Sequence, residues 1–251
     1  MKYTNKELKL RAKTVLSGHY TVSVGISLIM MAIEALSALI LLPFSEQGSV
    51  KALVFALIIS FILRLITSVF FAGLLFHFLK RARGTDCSAA DIIAAFRMQP
   101  DRFIISELLI VAISAAYALP FAGAYFISSS NAALSVIFFI VWGIGGTILY
   151  FVLRLRYALS FFLLLDHQEM GAVESFKTSA RLMQGHKGRL MLLLLSFIGW
   201  YLLGLLSSFI GFLWIIPYIS TALSGYYLDL TGEPASPESD HPASEETYSQ
   251  V

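Results

Sequence analysis

Two stretches of the chain carry no Asp, Glu, Lys or Arg at all: the 46 residues from Leu108 to Leu153 and the 39 from Leu190 to Leu228. Crossing the hydrocarbon core of a bilayer takes about 20 mostly apolar residues as a helix. Each run is therefore long enough for two crossings and has to fold back. Ser128-Ser129-Ser130-Asn131 marks the turn in the first, and Ser207-Ser208 marks it in the second. Nearer the N-terminus, Tyr20–Leu42 and Ala52–Leu79 read as further spans, interrupted by Glu34 and by Arg64 and His77. The pattern predicts six helices, near 20–42, 51–79, 103–127, 132–165, 189–206 and 208–228. Helices are expected because an open sheet edge cannot satisfy its backbone in lipid.

Three polar segments separate these apolar runs, and each reads as a short amphipathic helix leading into a hairpin. The first opens on Thr4-Asn5-Lys6-Glu7, a capping-box pattern in which Thr and Glu satisfy free amides at a helix start. Its apolar positions Leu8, Ala12, Val15 and Leu16 have helical spacing. The second, over 88–98, has Asp86 or Ser88 as cap and then Ile92, Ile93 and Phe96; the third, over 171–184, has Ala172, Val173, Phe176, Ala180 and Met183 on one face. Their ends align as Leu16-Ser17-Gly18, Met98-Gln99-Pro100 and Met183-Gln184-Gly185, with Gly or Pro where a helix must stop. The fold class predicted is an all-α, polytopic membrane protein: six transmembrane helices as three hairpins, each preceded by a cytosolic amphipathic helix and repeated in one orientation. The segments are an N-terminal basic helix over 1–18, a six-helix domain over 19–228 with inside loops 80–102 and 166–188, and a disordered acidic tail over 229–251, too polar to bury itself.

Composition sharpens this picture. Hydrophobic residues make up 57% and charged residues 14%, when a soluble domain needs roughly a quarter charged. Of the 18 Lys and Arg, fourteen fall in the N-terminal segment and the two loops expected on the same side, which places both termini in the cytoplasm of a cell membrane. The first apolar stretch exceeds the ~7–15 residues of a signal-peptide core, so it reads as a signal anchor. A net charge of +2 gives no reason to expect nucleic-acid binding, and the lone Cys87 excludes an internal disulfide and reads as an unreactive small residue.

Candidate chemistry is sparse. The sequence has no nucleophile elbow, phosphate-binding Gly loop or zinc-protease helix, so no enzyme activity and no cofactor or metal is expected. Asp166-His167-Gln168-Glu169 has ligand-type residues, but neighbours in one loop rarely converge on an ion. Gly143, Gly145 and Gly146 lie inside a span, where small residues permit close helix packing. The charges in or near spans stand out: Glu34, Arg64, Glu107, Arg154 and Arg156 are each costly in hydrocarbon unless paired or hydrated, and are either functional or register-fixing. Counting from each hairpin turn pairs Glu107 with Arg154 and Glu34 with Arg64. Arg181, His186, Lys187 and Arg189 at the inner interface either hold anionic lipid headgroups or serve as positive-inside anchors. The partners expected are the lipid bilayer, anionic headgroups and a protein partner. The functions compatible with all this are a non-catalytic membrane-organising or partner-binding protein or, alternatively, a transporter or permease for a small solute or lipid.

The segments Ala180-Arg181-Leu182-Met183-Gln184-Gly185-His186-Lys187, Ser196-Phe197-Ile198-Gly199-Trp200-Tyr201-Leu202-Leu203-Gly204 and Tyr226-Tyr227-Leu228-Asp229-Leu230-Thr231-Gly232-Glu233 carry a resemblance. With Ile210 to Tyr218, the basic helix Leu8 to Gly18 and Arg156-Tyr157, they make the chain similar to the bacterial integral-membrane family known as domain of unknown function 975. The resemblance covers nearly the whole chain and implies a polytopic membrane protein. It implies no activity and assigns no functional residue.

Overall fold

The fold is given by a computed structural model that describes residues 2–45, 49–128 and 132–233. Among these residues it is helical throughout, with no strand. The elements are α1 (Asn5–Leu16), α2 (Tyr20–Ser45), α3 (Val50–Ala82), a 3-10 turn (Ala89–Ile93), α4 (Ala94–Arg97), α5 (Pro100–Ser128), α6 (Ala132–Arg156), α7 (Ser160–Asp166), α8 (Ala172–Leu182), α9 (Lys187–Leu195), α10 (Ile198–Leu206) and α11 (Phe212–Thr231).

Five stretches are long and apolar enough to cross a membrane: Tyr20–Phe44, Val50–Ala82, Pro100–Phe121, Val136–Asp166 and Lys187–Leu206. They mark the chain as membrane-embedded. The sixth expected span is also a helix, α11, but a more polar one. It lies against α1, α2, α3 and α10, and Ser220, Thr221, Ser224 and Asp229 are buried there. A helix enclosed by other helices does not need an apolar coat all round. It runs antiparallel to α9 and α10, since Tyr201 meets Phe212 near the turn while Arg189 meets Asp229 at the far end. The turn comes at Ser207–Gly211 as expected, with Ser208 and Phe209 in left-handed conformation.

The core gathers at one end of the hairpins. In α3 the buried residues run from Ser68 to Ala82, while Leu53, Phe55, Leu57, Ile58 and Ile62 in its first half are exposed. Ile26 and Met30 of α2, Phe103 and Ile110 of α5, Leu155, Leu159, the apolar residues of α7 and much of α11 belong to the same core. The opposite halves of the first two hairpins present apolar flanks outward, as a surface solvated by lipid does. The most apolar stretch of the Val136–Asp166 span is only 6% buried.

Several expectations change in detail. α1 is the expected helix, with the Thr4–Glu7 capping box formed and Leu8, Ala12 and Leu16 turned into the core. The second polar segment is not a helix over 88–98: it is a 3-10 turn followed by the single turn of α4. The turn lies so close to α3 that a Cβ on Gly73 would stand 2.0 Å from the Ile92 carbonyl oxygen. Each of the three junctions into a hairpin contains a left-handed residue: Gly18, Gln99 and Gly185. In the second it precedes the aligned Pro100, which opens α5 as Pro can at a helix start. The fourth expected span, 132–165, breaks between α6 and α7 at Tyr157–Leu159, and the fifth bends at Ser196-Phe197. The first residues assigned to the tail are helical instead: Asp229, Leu230 and Thr231 finish α11, and Gly232 caps it in left-handed conformation. Residues 234–251, like the Ser129–Asn131 turn, lie outside the described residues.

Candidate functional site

A polar cluster sits inside the core where α3 meets the 3-10 turn. Gly73 and His77 lie one helical turn apart on one face of α3, so the glycine that admits the turn also sets it against the histidine. His77 is fully buried. Its Nδ1 lies 3.1 Å from Asp91 Oδ2, and its Nε2 lies 3.5 Å from the hydroxyl of Ser23, a fully buried residue of α2. Two further donors anchor Asp91: Lys80 Nζ donates to Oδ1 at 3.1 Å, and the Ser88 amide donates to Oδ2 at 3.0 Å as part of a capping box on the turn. Cys87 lies at the rim, with Sγ 3.1 Å from the Thr85 carbonyl and 3.7 Å from that of His77. One donor atom each from His77, Cys87 and Asp91 fall within 4.8 Å of one another. Burial pushes the Cys87 thiol above its ordinary value; the Arg81 and Lys80 charges pull the other way without reversing it.

Two ionic clasps lie at the same end, one between hairpins and one between the third hairpin and the N-terminal segment. Arg83, just past α3, forms a two-pronged pair with Asp166 at 2.7 and 2.8 Å. It also donates to Glu233 at 2.7 and 3.0 Å, and Tyr227 donates to Asp166 at 2.6 Å. One guanidinium thus ties the ends of α3, α7 and α11, which belong to three different hairpins. Burial alone would lower the Arg83 pKa, but the carboxylates outweigh it and raise it. In the second clasp, Arg189 Nη1 meets Asp229 at 2.8 Å while Asp229 Oδ1 accepts from the Lys2 and Tyr3 amides at 2.6 and 3.2 Å. Arg189 also donates to the Tyr3 carbonyl and to Asn5, and Asn5 returns a bond to the Arg189 carbonyl. The N-terminal segment is thereby stitched to the start of α9 and the end of α11. A third cation, buried Arg102, has carbonyls for partners: those of His167, Gln168, Met170 and Met98.

The charges singled out from the sequence are arranged differently from expectation. Arg64 Nε donates to Glu107 Oε1 at 2.6 Å, so the pair joins the first hairpin to the second, and neither Glu107–Arg154 nor Glu34–Arg64 forms. Counting from the turns compares positions only within one hairpin, and Arg64 takes its carboxylate from the next hairpin, where α3 packs beside α5. Glu34, Arg154 and Arg156 lie on exposed faces, with the Arg156 guanidinium 5.8 Å from the Tyr157 ring. Among the lipid-headgroup candidates, Arg189 is engaged by Asp229 and the N-terminal segment, and the His186 carbonyl accepts from Tyr226 at 2.9 Å. Lys187 opens α9. Arg181 is exposed and lines an open groove with Ile105, Lys177 and the first turn of α8. The break after α6 is bridged by Ser179 of α8, whose hydroxyl donates to the Arg156 carbonyl at 3.0 Å and accepts from the Leu159 amide at 3.2 Å.

Sequence reasoning missed His77, Asp91 and the Arg83 clasp. The interruption of an apolar run by His77 was the one local signal.

Over residues 1–233 the sequence matches the model of a family described as Protein of unknown function (DUF975). The chain belongs to this family. No curated protein and no solved structure matches it. The DUF975 match includes all the residues of both clasps, Glu233 among them.

Proposed function

We propose that this chain is a non-catalytic membrane-organising protein that binds a protein partner within the bilayer. It crosses a cell membrane six times as three hairpins, with both ends in the cytoplasm and α1 and α8 along the inner surface. The observation that carries the reading is how its charges are used. Arg64 and Arg83 bond carboxylates on other hairpins, and Arg189 bonds Asp229 across its own hairpin while holding the N-terminal segment through Tyr3 and Asn5. Charges held this way fix the register of a scaffold, whereas a solute path needs charges that face a cavity and exchange partners. The outward faces remain for contact. On α6, Ile137, Val141, Ile144 and Ile148 form one exposed apolar stripe at helical spacing.

A photo-crosslinking residue at Ile144 in native membranes tests this. A discrete protein adduct is expected. The transporter reading draws support from the break at Tyr157–Leu159, since interrupted helices line many substrate sites. Absence of any protein adduct, together with solute or lipid flux through the purified protein in proteoliposomes, would replace the scaffold with a transporter.

A further inference from the structure

We propose that His77, Cys87 and Asp91 form a zinc site that pins the loop after α3 to the buried face of that helix. The donors are one imidazole nitrogen, one sulfur and one carboxylate oxygen, the mixed set that a borderline-soft divalent ion such as Zn2+ accepts. Around a tetrahedral zinc with bonds of ~2.0–2.3 Å, such donors stand roughly 3.3–3.8 Å apart. Here His77 Nδ1 and Asp91 Oδ2 are 3.1 Å apart and all three donors lie within 4.8 Å, so side-chain adjustments of about 1 Å reach the required geometry.

Ser23 provides an independent pointer. A metal-ligating histidine commonly donates its other ring N–H to a fixed oxygen, which selects the tautomer. Without a metal, Nδ1–H donates to Asp91 and Nε2 accepts from Ser23; a metal that takes the Nδ1 lone pair moves the ring proton to Nε2, where the Ser23 hydroxyl at 3.5 Å is placed to accept it. The site is also rigid from below, because Gly73 allows the turn carrying Asp91 to close onto α3. Charge balances at the first coordination layer: one thiolate, one carboxylate and a neutral imidazole cancel Zn2+. Binding replaces the thiol proton, which goes to solvent past the partly exposed Cys87. Lys80 stays on Asp91 Oδ1, and Oδ2, which accepts the Ser88 amide on one lone pair, has the other for the metal. Lys80 and the nearby Arg81 work against a cation, so the site needs the Cys87 thiolate. Three protein ligands leave a fourth position for water.

The chain's sole cysteine makes the test direct. The full-length protein, purified in detergent and stripped with chelator, is titrated with Zn2+ alone while maleimide alkylation of Cys87 is timed. One zinc per chain and alkylation slowed at least about ten-fold, restored by EDTA, are the expected results. Co2+ in place of zinc should give a thiolate charge-transfer band that Cys87→Ala abolishes. Ser23→Ala, which positions rather than ligates, should weaken zinc binding by about ten-fold. Alkylation indifferent to zinc in the folded wild-type protein would overturn the proposal, as would equal zinc retention by wild type and Cys87→Ala. A cluster held only by hydrogen bonds would give both results.

Discussion

Replacing Gly73 by alanine adds one methyl group at the tightest approach between α3 and the 3-10 turn. The new Cβ would stand 2.0 Å from the Ile92 carbonyl oxygen, 2.5 Å from its carbon and 2.9 Å from its Cα. All three are backbone atoms, so no side-chain rotation relieves the clash. An ordinary carbon–oxygen contact is ~3.3 Å, so the turn must move by about 1 Å. That shift, applied to a His77–Asp91 distance of 3.1 Å, takes the pair beyond hydrogen-bond range. Overpacking of this kind costs about 1–3 kcal/mol, and the lost bond to a charged group adds roughly 1.5–3 kcal/mol. The assay is intrinsic-fluorescence melting in detergent beside the maleimide rate of Cys87, four residues before Asp91. Gly73→Ala should lower the melting temperature by several degrees and speed alkylation, because the turn that shelters the thiol is displaced. An unchanged melting temperature and alkylation rate would refute the close approach and the positioning argument built on it.

Three further outcomes follow from the same geometry. Arg64→Met should destabilise the protein by about 1–3 kcal/mol by leaving Glu107, whose side chain is 11% exposed, without its cation. Adding Glu107→Met should recover most of that loss in a thermal-melt double-mutant cycle, whereas additive losses would show that the two charges act separately. Asp166→Asn removes the two-pronged partner of Arg83 and the acceptor of Tyr227; a loss of about 2–3 kcal/mol is expected, with faster proteolysis after Arg83, while a wild-type melt would mean that Glu233 alone holds the clasp. Because burial raises the Cys87 pKa, metal-free protein should alkylate more slowly than a free thiol at neutral pH and reach its half-maximal rate at a higher pH; a pH profile like that of a free thiol would contradict the burial.

How far the sequence carried depended on the range of each signal. The charge-free runs located the helices, because the length and apolarity of a span are properties of consecutive residues. The Thr4–Glu7 capping box and the turn at Ser207-Ser208 were legible for the same reason. Pairings between hairpins were not. Arg64 and Glu107 meet because α3 packs beside α5, a contact between helices of different hairpins that no local pattern records. Arg83, Asp166 and Glu233 carry no signal in their own segments and acquire a role only when the ends of three helices converge. His77 read as one polar interruption, and Cys87 as a small inert residue, because nothing local says that a 3-10 turn will fold Asp91 back onto α3. Gly73 was the missing clue, and its importance is visible only beside Ile92.

The central claim is that three hairpins return to one membrane face, where the charged clasps hold them. It is tested most directly by topology reporters fused after Gly171 and after Val251, positions on either side of α9, α10 and α11. The account expects both reporters in the cytoplasm, and a reporter at Gly48 outside. A cytoplasmic signal at Gly171 with an external one at Val251 would mean five crossings and no third hairpin. An external signal at Gly171 would contradict the arrangement altogether.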